Sequence, residues 1–363
     1  MESLLGRKRT RSRPKKLIFC ALFSALVFAL AQLPAPAEYL FARGITRLFS
    51  GAINLITNSI PVSFYECTAV VLLFGVPAFA VALIVLLCKK KFARAGIWLY
   101  RAGMACLCVF FAFSVLYAPL YNRDSCFSAL GLSDTQVTEE KVYAAAEYYI
   151  GQLNELSSAL PRDAEGNVVS PYSFEELAEK IDGAFGAFDS GYFASYEVRP
   201  KQVALSVPMS YLGITGIYFP FYAEANVNVN IPSYELPFTM AHETAHAKGV
   251  AHETEANIAA YVLCIRSDSA YIRYSGLMRA VANLMNSLPD EDYRQLYGML
   301  DEKIALEYRN ANAHYAKYEG IIDRISGFFN DIFLKANGVE GGTRSYGMTQ
   351  RGLVSLYEQL VSA

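Results

Sequence analysis

The chain has 363 residues, of which 53% are hydrophobic and 18% are charged, and its mean hydropathy is +0.22. An average soluble domain carries about 25% charged residues, so this composition argues against a purely soluble protein and equally against a disordered one. The net charge of −2 combines a basic segment, residues 1–119, with an acidic one, residues 120–363, and an acidic segment excludes nucleic acid as the expected partner because phosphates attract Lys and Arg.

Three apolar stretches near the N-terminus predict transmembrane helices. Residues 17–33, 68–88 and 102–122 contain no Asp, Glu, Lys or Arg. A helix that crosses about 30 Å of hydrocarbon needs roughly 20 apolar residues, and the first stretch is at the lower limit of that length. We therefore expect a three-helix transmembrane region in the lipid bilayer over residues 17–122, preceded by a basic cytoplasmic tail, residues 1–16. The first stretch also fits a cleaved signal peptide.

The placement of basic residues predicts the orientation of these helices. Seven Lys/Arg lie between residues 7 and 16, and four lie between residues 89 and 94, whereas the loop between the first two stretches has only Arg43 and Arg47. Cytoplasmic loops are enriched in Lys and Arg. Both basic clusters are therefore expected in the cytoplasm of a multi-pass cell-membrane protein, and residues 123–363 are expected outside it.

The loop between the first and second stretches has apolar residues near helical spacing. This pattern predicts a short helix that lies in the membrane interface. The apolar residues are Leu40, Phe41, Ile45, Leu48, Phe49, Ile53 and Ile56.

Residues 123–363 are expected to form an α+β domain. Thr138 and Ser173 are suited to begin helices, and strict alternation of apolar and polar residues indicates a half-buried strand. The predicted elements are helices over residues 137–160, 173–181 and 240–336, and a strand over residues 225–231. Cys126 and Cys264 are the two cysteines of this domain, and one disulfide between them is compatible with the sequence without being required by it.

A histidine cluster carries the chemistry that the sequence indicates. Three of the four histidines fall within residues 242–252. His242 and His246 are four residues apart, so on a helix they share a face and can bind one Zn²⁺. Glu243 lies beside them, where it can take a proton from a zinc-bound water. This H-E-x-x-H pattern is a known signature of zinc metalloproteases, and a salt-bridged surface helix is the less favoured interpretation.

The third metal ligand has three candidates. The spacing from the H-E-x-x-H motif through Gly249 to His252 matches the metzincin pattern. Glu253 and Asn257 instead form an E-x-x-A-N pattern similar to the ExxAD helix of gluzincin peptidases, in which the Glu binds zinc and the later residue orients a ligand. Glu253 is favoured, with His252 and then Glu255 as the alternatives.

Eight short motifs, in one order along the chain, resemble domain of unknown function 3810, a bacterial family of membrane-anchored proteins described as zinc peptidases from their motif. The motifs occupy residues 127–132, 209–216, 218–221, 224–226, 236–239, 242–246, 253–257 and 345–347. The resemblance covers nearly the whole chain, including the three leading helices. It implies Glu253 as the third ligand, because the family usually has a residue other than His at the position of His252.

Together these features predict a mainly α membrane protein with three N-terminal transmembrane helices and an α+β zincin-like extracytoplasmic domain with a small sheet. The expected function is that of a membrane-anchored zinc metallopeptidase, which hydrolyses a peptide or protein substrate outside the cytoplasm through a zinc-bound water activated by Glu243. The alternative is a non-catalytic membrane protein with a structural or sensory zinc site.

Several other residues are candidates for binding the substrate or the transition state. Residues 226–231 are a possible edge strand that pairs with an extended substrate. The candidate donors to the oxyanion are Tyr346, Arg344 and His314. The residues expected to shape a turn over the cleft are Gly213, Gly216 and Pro220.

Overall fold

The computed structural model describes residues 2–188, 191–320, 324, 327 and 342–362. The chain divides into two compact units. The first unit comprises Met1–Ile53, Phe64–Asp124 and Pro220–Tyr222, and the second comprises Asn54–Ser63, Ser125–Phe219 and Ala223–Ala363. The second unit thus includes a ten-residue segment that precedes the second long apolar helix, and the first includes three residues from the middle of the chain.

The first unit contains three helices that are long and apolar enough to cross a membrane, as the sequence predicts. Most of the residues in these helices are exposed: at most 11% of the most apolar stretch of each helix is buried. The helices that begin in this unit are α1 (Glu2–Ala31), α2 (Thr46–Thr57), α3 (Phe64–Cys88) and α4 (Phe92–Leu116). A π-helical segment (Pro36–Ile45) precedes α2, and a 3₁₀ turn (Ala118–Asn122) follows α4.

The third apolar helix is displaced from its predicted position. The charge-free stretch is 102–122, but α4 begins ten residues earlier and ends at Leu116. Pro119 accounts for the end, because proline lacks a backbone N–H and disfavours helical backbone in the residue before it. The helix takes in Arg94 and Arg101 instead, so the absence of charge was a poor guide to its limits.

The second unit is mainly helical. Two predicted helices are confirmed together with their starts: the Thr138 side chain accepts from the Lys141 backbone N–H, and Ser173 forms a capping box with Glu176. The helices are α5 (Glu139–Ser157), α6 (Phe174–Phe185), α7 (Ser206–Tyr211), α8 (Leu236–Ala247), α9 (Glu253–Ile265), α10 (Ala270–Met285), α11 (Asp290–Tyr297), α12 (Glu302–Ala316) and α13 (Gly342–Ser362).

A three-stranded mixed sheet completes this unit. Its strands are β1 (Lys201–Val203), β2 (Gly216–Phe219) and β3 (Glu224–Asn228). Their order is β1-β3-β2, with β3 parallel to β1 and antiparallel to β2. The predicted half-buried edge strand is therefore wrong: β3 is the central strand, and all five of its residues are buried.

Hydrogen bonds explain how the polar residues of β3 are buried. The Asn226 amide donates to the Ile217 carbonyl oxygen and accepts from the Ser63 hydroxyl at 2.7 Å. The Asn228 amide donates to the Ile214 carbonyl oxygen at 2.8 Å. Buried polar groups are stable when they are paired in this way. The alternating Asn side chains, which suggested that one side of the strand faces solvent, are instead hydrogen-bonded inside the protein.

Four helices, α5, α8, α9 and α10, supply most of the large side chains in the core of this unit. These side chains include Tyr149, Ile150, Leu153, Met240, Ile258, Leu277 and Met278. The predicted option of a disulfide is not realised, since Cys126 and Cys264 are both free and buried. The Cys126 Sγ lies beside the first turn of α9, 3.8 Å from the Glu255 carbonyl oxygen. Cys264 lies on α9 itself, nine residues or about 13.5 Å beyond Glu255 along the helix axis.

Candidate metal centre

Helix α8 carries the H-E-x-x-H motif through the interior of the second unit. Ten of its twelve residues are buried. His242 and His246 are about one turn apart, so their rings meet in a T-shaped contact with centroids 4.6 Å apart. The Glu243 and His246 residues are buried, while the side chain of His242 is 14% exposed. The motif is thus held rigidly, with one imidazole reaching the surface.

A sharp turn after α8 brings the next helix to these histidines. Gly249 has φ +107°, a conformation that residues with a Cβ rarely adopt. His252 is the extended residue that precedes α9, and α9 begins at Glu253. The turn therefore places the first residue of α9, rather than the last residue of the loop, beside the imidazoles.

The donor atoms of three side chains converge. The Nε2 atoms of His242 and His246 are 3.0 Å apart. The Glu253 carboxylate lies 3.1 Å from Nε2 of His242 and 3.5 Å from Nε2 of His246. Two atoms bound to zinc at 2.0–2.1 Å in a tetrahedron are separated by about 3.3 Å. These separations, and two imidazoles with one carboxylate as donors, fit a tetrahedral zinc ion.

Hydrogen bonds on the far side of each ring set the tautomer. His246 Nδ1 lies 2.7 Å from the Val250 carbonyl oxygen, and His242 Nδ1 lies 3.0 Å from Asn257 Oδ1. Both partner oxygens can only accept, so each Nδ1 carries a proton and each Nε2 is the ring atom left to bind a metal. Such outer partners orient metal ligands and raise their basicity. Asn257 thus contacts a histidine in the manner expected for a residue that orients a ligand.

Glu243 points its carboxylate at strand β2. A Cβ added to Gly216 would lie 2.5 Å from Glu243 Oε1, so only glycine fits there without a shift. The backbone N–H of Tyr218 donates to the same carboxylate. Glu243 Oε2 is buried and has no hydrogen-bond partner among the described residues. One part of the carboxylate is held by β2, and the other oxygen is free to accept a proton.

Sequence reasoning gave Gly216 the wrong position and missed Tyr218. Gly216 begins β2 and allows the close approach of Glu243, whereas the prediction put it in a turn. Gly213, with φ +69°, does lie in the turn after α7, and Pro220 follows β2 directly. A glycine at the edge of a strand pattern often marks such an approach, and that signal was available in the sequence.

The electrostatic environment differs between the two carboxylates. Burial raises the pKa of Glu243 to about 7 from an ordinary value of 4.5. Burial also acts to raise the pKa of Glu253, but the charges and hydrogen bonds of His246 and His242 outweigh it and hold that pKa well below its usual range. Glu253 is therefore an anionic donor, while Glu243 has a pKa suited to accepting and returning a proton near neutral pH.

The other predicted candidates lie apart from this centre or beyond the described side chains. The cluster of potential metal ligands found in the described part of the chain consists of His242, His246 and Glu253, without His252 or Glu255. His314, on α12, donates from Nε2 to the Asn230 carbonyl oxygen at 2.9 Å. The side chains of the remaining two candidates, Arg344 and Tyr346, lie outside the described residues.

The fold and the site define a mainly helical protein with three apolar N-terminal helices, a small mixed sheet and a His-His-Glu cluster at which a metal would fit. A family model described as a protein of unknown function (DUF3810) matches residues 41–353, so the chain belongs to this family. This confirms the family assignment drawn from the eight motifs, all of which lie within the matched residues; the first apolar stretch lies outside them. No curated protein and no solved structure matches the chain significantly.

Proposed function

We propose that this protein is a membrane-anchored zinc metallopeptidase with a zincin-like domain, and that it hydrolyses peptide bonds outside the cytoplasm. The observation that carries the proposal is the convergence of one donor atom each from His242, His246 and Glu253 beside the half-free carboxylate of Glu243. Two imidazoles and one carboxylate are a ligand set used by catalytic zinc, which keeps a further position for water or substrate.

The chemistry divides between the metal and the chain. A zinc ion held by His242, His246 and Glu253 would act as a Lewis acid that polarises the scissile carbonyl and lowers the pKa of a bound water toward about 7. Glu243 accepts the proton of the attacking water at Oε2, because its carboxylate is already held by the Tyr218 N–H through the other oxygen. The same carboxylate then returns the proton to the leaving amine.

An open site also favours catalysis over a purely structural or sensory role. Structural zinc sites are closed by four protein ligands, whereas the cluster found among the described residues offers three. The Glu253 side chain is 48% exposed, so the cluster is open toward the surface on that side. A substrate can therefore approach the metal from the side of Glu253.

Strand β2 is the better candidate for pairing with an extended substrate. The sequence suggested the β3 region for this role, but β3 has a neighbouring strand on each side, β1 and β2. In the described part of the chain β2 pairs with β3 alone, and it carries Gly216 and Tyr218 next to Glu243. A substrate that adds to the sheet beside β2 would lie along the strand that positions the general base.

The test uses the purified full-length protein in lipid nanodiscs. We expect stoichiometric zinc by elemental analysis and cleavage of a peptide library that stops when zinc is chelated and resumes when zinc is restored. Stoichiometric zinc without cleavage of any peptide would favour the non-catalytic alternative. Absence of zinc binding would contradict the proposal altogether.

Gly216→Ala provides a more local test. The added methyl group would displace the Glu243 carboxylate without touching a proposed ligand, so we expect zinc content to be unchanged and hydrolysis to fall roughly 10²-fold, as for a misplacement of about 1 Å. Gly151→Ala, in α5, is the control, since an added Cβ there meets nothing within 4 Å. Equal activity of the two variants would contradict the role assigned to Gly216.

The proposed orientation rests on the two basic clusters and is tested with reporters. A reporter that is active only in the cytoplasm should be silent when fused after Ala363 and active when fused after Lys91, in the basic loop between the second and third apolar helices. The two fusions differ in position alone and control for each other. Strong activity after Ala363 would place the second unit in the cytoplasm and overturn the orientation.

A further inference from the structure

Helix α2 has the opposite polarity from a helix on the surface of a soluble protein. Its buried side is polar and its exposed side is apolar, and the two sides alternate with helical periodicity. The buried residues are Thr46, Ser50, Asn54 and Thr57. The exposed ones, which we call the apolar stripe, are Leu48, Phe49, Leu55 and Ile56. Leu48 is 71% exposed and Leu55 is 78% exposed, so water would meet nearly all of these side chains if nothing covered them.

The position of α2 within the first unit indicates what covers the stripe. The Thr46 hydroxyl donates to the Val115 carbonyl oxygen at 2.6 Å, and Val115 lies in the last turn of α4. Helix α2 therefore starts where the third membrane-spanning candidate ends, which is the level of a bilayer boundary. Side chains in the middle of α3, such as Phe74, are as exposed as the stripe, so the stripe has the exposure of a surface that lipid covers.

The length and surroundings of α2 fit a helix that lies along this boundary. Its twelve residues extend about 18 Å, too short to cross about 30 Å of hydrocarbon. The segment before it exposes Tyr39, whose ring lies 5.9 Å from the Arg43 guanidinium. Aromatic and basic side chains of this kind are enriched at membrane–water interfaces.

We propose that the apolar stripe is inserted into the lipid at the bilayer boundary where α4 ends, roughly 5–10 Å into the region between head groups and acyl chains. The polar side of α2 stays within the protein. Its C-terminal end belongs to the second unit, where the Asn54 amide donates to the Ala223 carbonyl oxygen, directly before β3.

Fluorescence quenching by lipids tests this proposal without reference to enzymatic activity. Trp98 is the sole tryptophan, so Trp98→Phe gives a background for single-tryptophan variants of the full-length protein. The stripe variants are Leu48→Trp and Leu55→Trp. Val76→Trp, in the middle of α3, is the deep control, and Val169→Trp, at an exposed position of the second unit, is the aqueous control. All are reconstituted in phosphatidylcholine–phosphatidylglycerol vesicles.

We expect the stripe variants to lose more fluorescence to lipids brominated near the head groups than to lipids brominated deep in the chains, and to be shielded from aqueous iodide. Val76→Trp should show the reverse depth preference, and Val169→Trp should respond mainly to iodide. Quenching of both stripe variants like Val169→Trp would show a water-exposed stripe. Protection from both quenchers would show that protein, such as a second copy of the chain, covers it, and either result overturns the proposal.

Discussion

Glu243→Gln is expected to retain zinc and to lose hydrolysis. The amide keeps the size of the side chain and leaves His242, His246 and Glu253 in place, but it cannot accept a proton from the attacking water. General-base assistance typically contributes 10²–10⁴-fold, so we expect peptide cleavage to fall by about that factor. The measurement is the cleavage rate of the best library peptide, with zinc content determined on the same preparation.

The control for this variant is Glu302→Gln, which makes the same chemical change at an exposed position at the start of α12. It should leave both zinc content and cleavage rate unchanged. Cleavage by Glu243→Gln at the wild-type rate would rule out Glu243 as the base. Loss of zinc from Glu243→Gln would instead assign this residue to metal binding and contradict its proposed role.

Replacement of the third ligand should strongly weaken metal affinity. We expect Glu253→Ala to weaken zinc binding by more than about 100-fold, because even a change in a residue that only supports a metal ligand costs 10–100-fold. His252→Ala should bind zinc like the wild type, since His252 ends the loop before α9 and lies outside the cluster of donor atoms. Competition with a chelator of known affinity measures both variants.

Three further variants calibrate this comparison. His242→Ala and His246→Ala should each abolish zinc binding, because either removes an imidazole from the cluster. Asn257→Ala should fall between His252→Ala and Glu253→Ala, since it removes only the acceptor that orients the His242 ring. Loss of zinc in His252→Ala with normal binding in Glu253→Ala would indicate a metzincin-like site and contradict the assignment of Glu253.

Local signals in the sequence predicted the elements whose stability is local. A side-chain cap accepts hydrogen bonds from the free N–H groups of its own helix. Thr138 and Ser173 therefore predicted the starts of α5 and α6 correctly. Long apolar runs likewise indicated three long apolar helices. The limits of α4 were less accessible, because the helix tolerates Arg94 and Arg101 and stops before Pro119, while the apolar run continues beyond it.

Patterns failed where burial depends on elements distant in sequence. The alternation of apolar and polar residues over 225–231 could not distinguish a strand with one solvent-exposed side from a central strand whose Asn side chains are hydrogen-bonded inside the protein. The partners of Asn226 include Ser63, which is 163 residues away. The proximity of Gly216 to Glu243 is of the same kind, because strand and helix meet only in the folded chain.

The sequence by itself determined the three long apolar helices, the starts of α5 and α6 and the pairing of His242 with His246, since all of these depend on neighbours within a few turns. Only the tertiary structure decided which side chain joins the two histidines and what holds Glu243. The turn at Gly249 selects Glu253 over His252, and β2 supplies the N–H of Tyr218. A short stretch of sequence cannot specify such contacts, because they depend on the angle between two helices and on a strand brought in from elsewhere in the chain.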